Sequence, residues 1–111
     1  MWQKSVDMAV EIYKITKKFP GDERFGLISQ INRSAVSVAS NIAEGAGRNS
    51  NNEFNHFLGI SVGSLFELET QLIIANKLDY LSQDTLMMIV TSINEIQNMT
   101  FGLIKSLNIN K

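Results

Sequence analysis

Cysteine is absent from this sequence of 111 residues, and proline and histidine each occur once. Without cysteine there can be no disulfide, no thiolate nucleophile and no thiolate metal site, and His56 alone leaves too few ligands for most zinc or copper sites. One proline and seven glycines are also too few for a turn-rich β-sandwich. These absences exclude thiol chemistry, and we expect neither a metal nor a cofactor.

Charge of one sign is also lacking, because ten Lys and Arg residues face eleven Asp and Glu residues, for a formal net charge of -1. The chain therefore has no overall basic field, and nucleic acid would have to be held by a local basic patch. No run of about 18 apolar residues could span a bilayer, and the N-terminus lacks the apolar block of a secretory signal. We expect a cytoplasmic protein without a membrane partner.

Three breaks divide the chain, which has the length of one domain. Pro20 ends a helix and Asp22 can cap the next one. The stretch from Ser50 to Glu53 has the pattern of a capping box, and Ser82 begins the last segment. The breaks predict helices over residues 3–19, 23–46, 50–77 and 83–108.

Apolar residues within these segments recur with the helical period and not with the strand period. Leu58, Leu65 and Leu72 lie on one face of the third segment, and Ile89, Ile93 and Ile96 lie on one face of the fourth. Long helices joined by short turns must lie antiparallel to their neighbours. The sequence predicts an all-α, up-down-up-down antiparallel four-helix bundle that forms a single domain over residues 1–111.

Surplus apolar surface on the helices indicates self-association. The first predicted helix carries one stripe with Trp2, Val10 and Tyr13 and a second stripe with Met8 and Ile12, although a lone bundle needs only one stripe per helix. A few scattered exposed apolar residues would be the alternative interpretation. The candidate interface residues are Met8, Ile12, Ile15, Phe19, Ile60 and Ile74.

A polar ridge runs along the second predicted helix, whose side chains are otherwise small. Gln, Ser and Asn with a single Arg favour a network between helices or subunits over an ordinary solvated face, which remains the alternative. Arg33 needs a carboxylate, and the sequence does not decide between Glu67 and Glu69. Gly63, together with Ser61 and Ser64, predicts a close crossing with the second helix. The candidate network is Gln30, Arg33, Ser37, Asn41, Glu44, Glu67 and Glu69.

Two sequence blocks, Asn41-Ile42-Ala43-Glu44-Gly45 and Gly63-Ser64-Leu65-Phe66-Glu67-Leu68-Glu69, carry a family resemblance that spans nearly the whole chain. With Phe19-Pro20-Gly21-Asp22 they resemble the bacterial four-helix-bundle family of 23S rRNA intervening-sequence proteins. That resemblance implies a homopentamer of four-helix bundles. A related branch, the accessory variability determinant of diversity-generating retroelements, binds a reverse transcriptase and nucleic acid.

No catalytic constellation emerges from the sequence. Glu53 and His56 have the Glu-x-x-His spacing of di-iron bundles, but a second such motif is missing. Arg48 and His56 are too far apart for the Arg–His pair of bundle-type ribonucleases. Arg48 could instead hold an anion at the start of the third helix, or pair with Glu44. The candidate nucleic-acid or anion contacts are Lys14, Lys17, Lys18, Arg24 and Arg48.

Taken together, the sequence predicts a non-enzymatic, homo-oligomeric scaffold or adaptor for a macromolecular partner that the sequence does not identify, and another protein is one candidate. The alternative is an RNA- or DNA-binding module that acts through local Lys and Arg patches, linked to rRNA intervening sequences or to a reverse transcriptase.

Overall fold

The computed structural model describes residues 1–109 and confirms the all-α four-helix bundle. Its helices are α1 (Trp2–Thr16), α2 (Leu27–Ala46), α3 (Asn51–Lys77) and α4 (Gln83–Ile109), and no strand occurs among the described residues. The bundle measures 47 × 24 × 19 Å. Residues 110 and 111, the last two of the predicted domain, lie outside the described residues.

The connection between α1 and α2 is longer than the sequence predicted. α1 ends at Thr16 rather than at residue 19, and Phe19 folds back into the core, where it is buried. A short 3₁₀ helix follows (Gly21–Glu23), and α2 begins at Leu27 rather than at residue 23. The predicted cap by Asp22 is wrong, because the Glu23 carboxylate accepts the hydrogen bond from the Leu27 amide at 3.5 Å.

The other two helix starts were predicted correctly. The Ser50 hydroxyl accepts a hydrogen bond from the Glu53 amide at 3.1 Å and caps α3. The Ser82 hydroxyl accepts from the Thr85 amide at 3.1 Å and caps α4. α3 and α4 are joined by a tight turn in which Asp79 adopts the left-handed conformation (φ 65°). Side-chain capping therefore fixes where both long helices begin.

The core follows the helical period of α3 and α4. α2 and α3 share the most extensive contact, whereas α1 and α4 have the smallest contact of any two neighbouring helices. Every turn of α3 from Leu58 to Ala75 contributes a buried residue. Leu86, Ile89, Ile93 and Ile96 of α4 are buried on the opposite wall, and Leu103, Ile104 and Leu107 are partly buried. Burial of these aliphatic side chains, about 1.5–3 kcal/mol each, is the main stabilising contribution.

Gly45 and Gly63 differ in how closely a neighbouring helix approaches them. At Gly45, near the end of α2, an added Cβ would lie 2.9 Å from both Phe54 Cδ1 and Phe57 Cβ. At Gly63 an added Cβ would meet nothing within 4 Å. The predicted crossing of α3 with α2 is confirmed at Ser61 and Ser64, which hydrogen-bond to Val38 and Ser37 of α2. Gly63 itself takes no part in it, because this glycine lies on the outer surface of α3.

α3 is long and apolar enough to cross a bilayer by length and composition alone. No such stretch was expected from the sequence. A core helix of a bundle meets the same criterion, and the leucines of α3 are buried inside this one. Its composition is explained by its place in the core, together with an apolar outer surface described below.

Candidate interaction surfaces

A groove between α1 and α2 has a predominantly apolar lining. It has a volume of about 710 Å³, and Lys14 and Lys17 lie at one end. Trp2, Val10 and Tyr13 line it on the α1 side and are each about half exposed, at 48%, 50% and 46%. The α2 side is lined by Val36, Ala39, Ser40 and Ala43. The small side chains of α2 form its floor, and the larger side chains of α1 form its wall.

The structure buries the stripe of α1 that was predicted to form the interface, and it exposes the stripe with Trp2, Val10 and Tyr13. Met8, Ile12 and Phe19 are at most 6% exposed and belong to the core of the subunit, and Ile15 packs against that core. They cannot form a surface between subunits. Aliphatic side chains have no polar atom to satisfy, whereas the indole N–H and the phenol O–H of the other stripe favour a position near water.

Ile60 and Ile74 are exposed, as a contact residue must be before assembly. Both lie on the side of α3 that faces α2. For these two residues the predicted role in an interface stays a prediction.

A second apolar surface, the α3–α4 patch, consists of Phe66, Ile73, Met87 and Phe101, and all four residues are exposed. The hydrogen bond from the Asn55 amide group to the Asn108 side chain fixes the register of the two helices. This antiparallel register places Phe66 near the level of Phe101, and Ile73 near that of Met87. The patch lies across the bundle from the α1–α2 groove.

A ladder of hydrogen bonds joins α2 to α3. Ser34 donates to Glu67 at 2.8 Å, Ser64 donates to Ser37 at 2.9 Å, and Ser61 donates to the carbonyl of Val38 at 2.9 Å. The Asn41 amide donates to the Ser37 hydroxyl at 3.0 Å and to its carbonyl at 2.8 Å. Among the candidate network residues, the structure thus brings Ser37 and Asn41 together, with Glu67 further along the same ladder.

The other members of the predicted network lie outside this ladder. Gln30 and Glu44 are exposed, and Glu69 is half-buried on another side of α3. Arg33 is exposed, and within residues 1–109 it forms an ion pair with neither Glu67 nor Glu69. The predicted ion pair is therefore wrong: Glu67 accepts a hydrogen bond from the hydroxyl of Ser34, and the Arg33 side chain extends into solvent.

The candidate basic residues do not form one patch. Lys14 pairs with Glu11 at 3.5 Å, one turn earlier on α1. Arg48 lies 3.7 Å from Glu44 and 3.9 Å from Glu53, and its guanidinium stacks 4.8 Å from the centroid of the Phe57 ring. Two carboxylates around Arg48 disfavour an anion there.

The remaining basic candidates, Lys17, Lys18 and Arg24, form no ion pair with an acidic side chain of residues 1–109. The guanidinium of Arg24 lies 5.5 Å from the centroid of the Phe25 ring, which is 89% exposed. Lys17 and Lys18 are exposed and form no ion pair within the described part of the chain.

His56, the histidine of the Glu-x-x-His spacing, lies on the outer surface of α3. His56 is exposed and packs edge-on against Phe57, with ring centroids 5.1 Å apart. In residues 1–109 no group of three or more His, Asp or Glu side chains could hold a metal ion.

Residues 1–102 match the family model described as 23S rRNA-intervening sequence protein. The chain belongs to this family. A solved structure from Bacteroides thetaiotaomicron VPI-5482, a protein with unknown function from the S23 ribosomal protein family, has a TM-score of 0.87 to this bundle. It is 27% identical in sequence, and the match covers 94% of each chain. No curated protein matches the chain.

Two residues of this family member were not singled out by the sequence. Phe25 and Gln71 line a cleft between α2 and α3 together with Arg33 and Ile74, which were candidates for other roles. Phe25 lies in a turn that was predicted as part of a helix, and Gln71 does not stand out in a helical period that is dominated by leucine. The available signal was the isolated arginine on α2, which had no partner fixed by sequence.

Proposed function

We propose that this member of the 23S rRNA intervening-sequence family is a non-enzymatic scaffold of the cytoplasm, built from identical copies of the chain. The observation that carries the proposal is the presence of two unlike apolar surfaces, the α1–α2 groove and the α3–α4 patch, on opposite flanks of one bundle. Five copies is the number implied by the resemblance to family members.

Both surfaces favour a contact that excludes water. Tryptophan, tyrosine and phenylalanine dominate the cores of protein interfaces, and exposed apolar groups that are clustered mark interaction sites. α4 adds few charges that would have to be desolvated, because its only charged residues are Asp84, Glu95 and Lys105. A second copy of the chain offers the matching chemistry without any other component.

The arrangement of the two surfaces favours a ring. One surface is a recess and the other projects the rings of Phe66 and Phe101, so the groove of one copy can receive the patch of the next. Such a head-to-tail contact uses different surfaces on its two sides, and it closes into a ring when the rotation between copies permits. A closed ring would cover every copy of both surfaces.

The test is the mass of the assembly in solution, by native mass spectrometry and analytical ultracentrifugation. Val10→Asp in the groove and Phe66→Asp in the patch should each abolish the ring. Met88→Asp is the matched control, because Met88 is as exposed as these residues but lies on the α1–α4 side. A wild-type monomer at micromolar concentration would overturn the proposal.

Mixing the two variants tests the head-to-tail contact itself. Val10→Asp retains an intact patch and Phe66→Asp retains an intact groove, so an equimolar mixture should form a heterodimer while each variant alone stays monomeric. A mixture that stays monomeric would contradict the pairing of these two surfaces.

A second candidate function, binding of single-stranded RNA, is favoured by the exposed ring of Phe25 with Arg24 beside it. Aromatic rings stack on unpaired bases, and arginine adds a phosphate contact. Fluorescence anisotropy with a labelled single-stranded RNA should then show binding that weakens as salt rises and is lost in Phe25→Ala. No binding at low salt would exclude this function.

A further inference from the structure

A carboxylate lies among the apolar residues of the α3–α4 patch. Glu69 follows Phe66 by three residues and precedes Ile73 by four, so the three side chains share one side of α3. Glu69 is half-buried, and within residues 1–109 its carboxylate forms no ion pair and accepts no hydrogen bond. The patch therefore carries an uncompensated negative charge between two apolar contacts.

The α1–α2 groove ends in a positive charge. Lys17 follows Tyr13 by four residues and lines the groove together with Lys14. Lys14 has a partner in its own subunit, because it pairs with Glu11 at 3.5 Å. Lys17 is exposed and forms no ion pair in the part of the chain that the structure describes. The groove thus presents the Lys17 ammonium group at the end where α1 terminates.

These two charges lie at nearly the same level along the bundle. The Thr16 hydroxyl donates to Asn32 Oδ1 at 3.0 Å, and this bond sets the register of α1 against α2. The ladder of hydrogen bonds between α2 and α3 sets the register of the next pair. Because neighbouring helices are antiparallel, the two registers together place Lys17 and Glu69 within one helical turn (about 5 Å) of the same level.

We propose that Lys17 of one copy forms an ion pair with Glu69 of the next copy, an interaction that rests on the proposed ring. Both apolar surfaces run lengthwise on the bundle, so copies that meet through them stand side by side with their long axes along the ring axis. Rotation about that axis leaves the level of every residue unchanged. Two charges at one level, on opposite flanks, are then brought together at every contact.

The ion pair removes a cost that the apolar contact would otherwise have. Covering the α3–α4 patch takes water away from Glu69, and a carboxylate that loses water without gaining a cation opposes association. Lys17 arrives with the groove and supplies that cation. An inverted neighbour would carry Lys17 toward the opposite end of the bundle and leave Glu69 unpaired. The ion pair therefore selects neighbours that point the same way, as a ring requires.

The test is the dissociation constant of the assembly, measured on the full chain by sedimentation velocity over a concentration series. Lys17→Glu and Glu69→Lys each place like charges opposite one another, so each should weaken association by about tenfold or more. The double variant restores opposite charges and should return to within about threefold of wild type. Wild-type affinity in both single variants, or no recovery in the double variant, would overturn the ion pair.

Two charge reversals elsewhere serve as matched controls. Lys18→Glu makes the same change at the same end of α1, but Lys18 does not line the groove. Glu67→Lys lies two residues from Glu69, on the side of α3 that faces α2. Both controls should assemble with wild-type affinity. If Lys18→Glu weakened assembly as much as Lys17→Glu, the charge at the helix end would be the cause, and the ion pair would be overturned.

The scaffold and the ion pair fail in different ways. A wild-type monomer overturns both, whereas a wild-type assembly that the charge reversals leave unaffected overturns the ion pair alone. Salt gives an independent measurement. Rising salt should weaken the wild-type assembly more than the neutral variant Lys17→Gln/Glu69→Gln, because only wild type has the charges that salt screens. The same salt dependence in the two proteins would contradict the ion pair and leave the scaffold in place.

Discussion

The Ser61 hydroxyl of α3 donates a hydrogen bond of 2.9 Å to the backbone carbonyl of Val38 in α2, and both residues are fully buried. This bond ties the two helices together inside the core, where a small side chain lets their backbones approach. Its neighbours in the ladder, Ser37 with Ser64 and Ser34 with Glu67, continue the same contact toward the surface.

Replacement of Ser61 should therefore reduce stability in a graded way. Ser61→Ala removes the bond and should lower the free energy of unfolding by about 1 kcal/mol. Ser61→Val adds volume to a packed position and should cost more, about 1–3 kcal/mol beyond the lost bond. Urea denaturation followed by circular dichroism measures both. A Ser61→Val variant as stable as wild type would contradict the close packing.

The two glycines Gly45 and Gly63 should respond to alanine with opposite signs. Gly45→Ala places a Cβ 2.9 Å from Phe54 Cδ1 and Phe57 Cβ, so the variant should be destabilised by about 1–3 kcal/mol. Gly63→Ala meets no neighbour and should gain about 0.5–1 kcal/mol from the lower backbone entropy of the unfolded chain. Thermal midpoints of the two variants check the comparison. Equal shifts in the same direction would contradict the assigned packing.

The spacing of apolar residues along the sequence predicts part of this fold. It locates the buried faces of α3 and α4 because Leu65 and Ile93 recur with their neighbours every three or four residues. It cannot show which of the two stripes of α1 is buried in the subunit. Both stripes have the helical period, and Ile12 and Val10 differ only in which helices lie opposite them. Likewise Gly63 and Gly45 are alike in sequence, and only the fold shows which one faces a phenylalanine.

The candidate site shows the same limit for polar groups. The period places Arg33 on a polar face of α2, but its partner depends on side-chain conformations and on the register between α2 and α3. In that register Glu67 accepts a hydrogen bond from Ser34, and Arg33 forms no ion pair within the described residues. The sequence therefore predicts the helix face on which a charged side chain lies, but not the residue with which it pairs.

Ile12 tests the corrected role of the inner stripe of α1. Because Ile12 is completely buried in the subunit core, Ile12→Ala should lower the free energy of unfolding by about 2–5 kcal/mol. An interface residue would instead lower the association constant and leave the monomer stable. Denaturation of the variant in the Val10→Asp background, where subunits are separate, distinguishes the two. An unchanged denaturation midpoint in that background would contradict the core position of Ile12 and support the original prediction that it lies in an interface.

The cap of α3 should be worth about as much as caps in other helices. Ser50→Ala leaves the Glu53 amide without its side-chain acceptor and should cost about 1 kcal/mol. Ser50→Asp should restore most of the loss, since a carboxylate accepts the same bond and favours the positive end of the helix dipole. Urea midpoints of the three proteins measure this order. A Ser50→Asp variant no better than Ser50→Ala would show that capping does not limit stability here.

Tyr80 should make stability depend on pH in the alkaline range. Its hydroxyl donates to Glu23 Oε2 at 2.8 Å, and this hydrogen bond raises the pKa of Tyr80 above its ordinary value of 10.0, with a further increase from burial. Between pH 10.0 and the folded-state pKa, the unfolded chain has released the phenolic proton while the folded chain retains it. The folded state then binds more protons, so stability falls as pH rises through this window and is fully present below it.

Urea denaturation below and above pH 10.0 measures this decline, and Tyr80→Phe should show less of it. The phenylalanine variant should also be less stable than wild type below pH 10.0, because it cannot donate to Glu23 while its ring still packs on Phe19, as the Tyr80 ring does at a centroid distance of 5.5 Å. Glu23→Gln removes the negative charge that opposes ionisation and should likewise flatten the decline. If all three proteins lost stability in parallel, the contact between Tyr80 and Glu23 would not be the cause, because only the other titrating groups are common to the three.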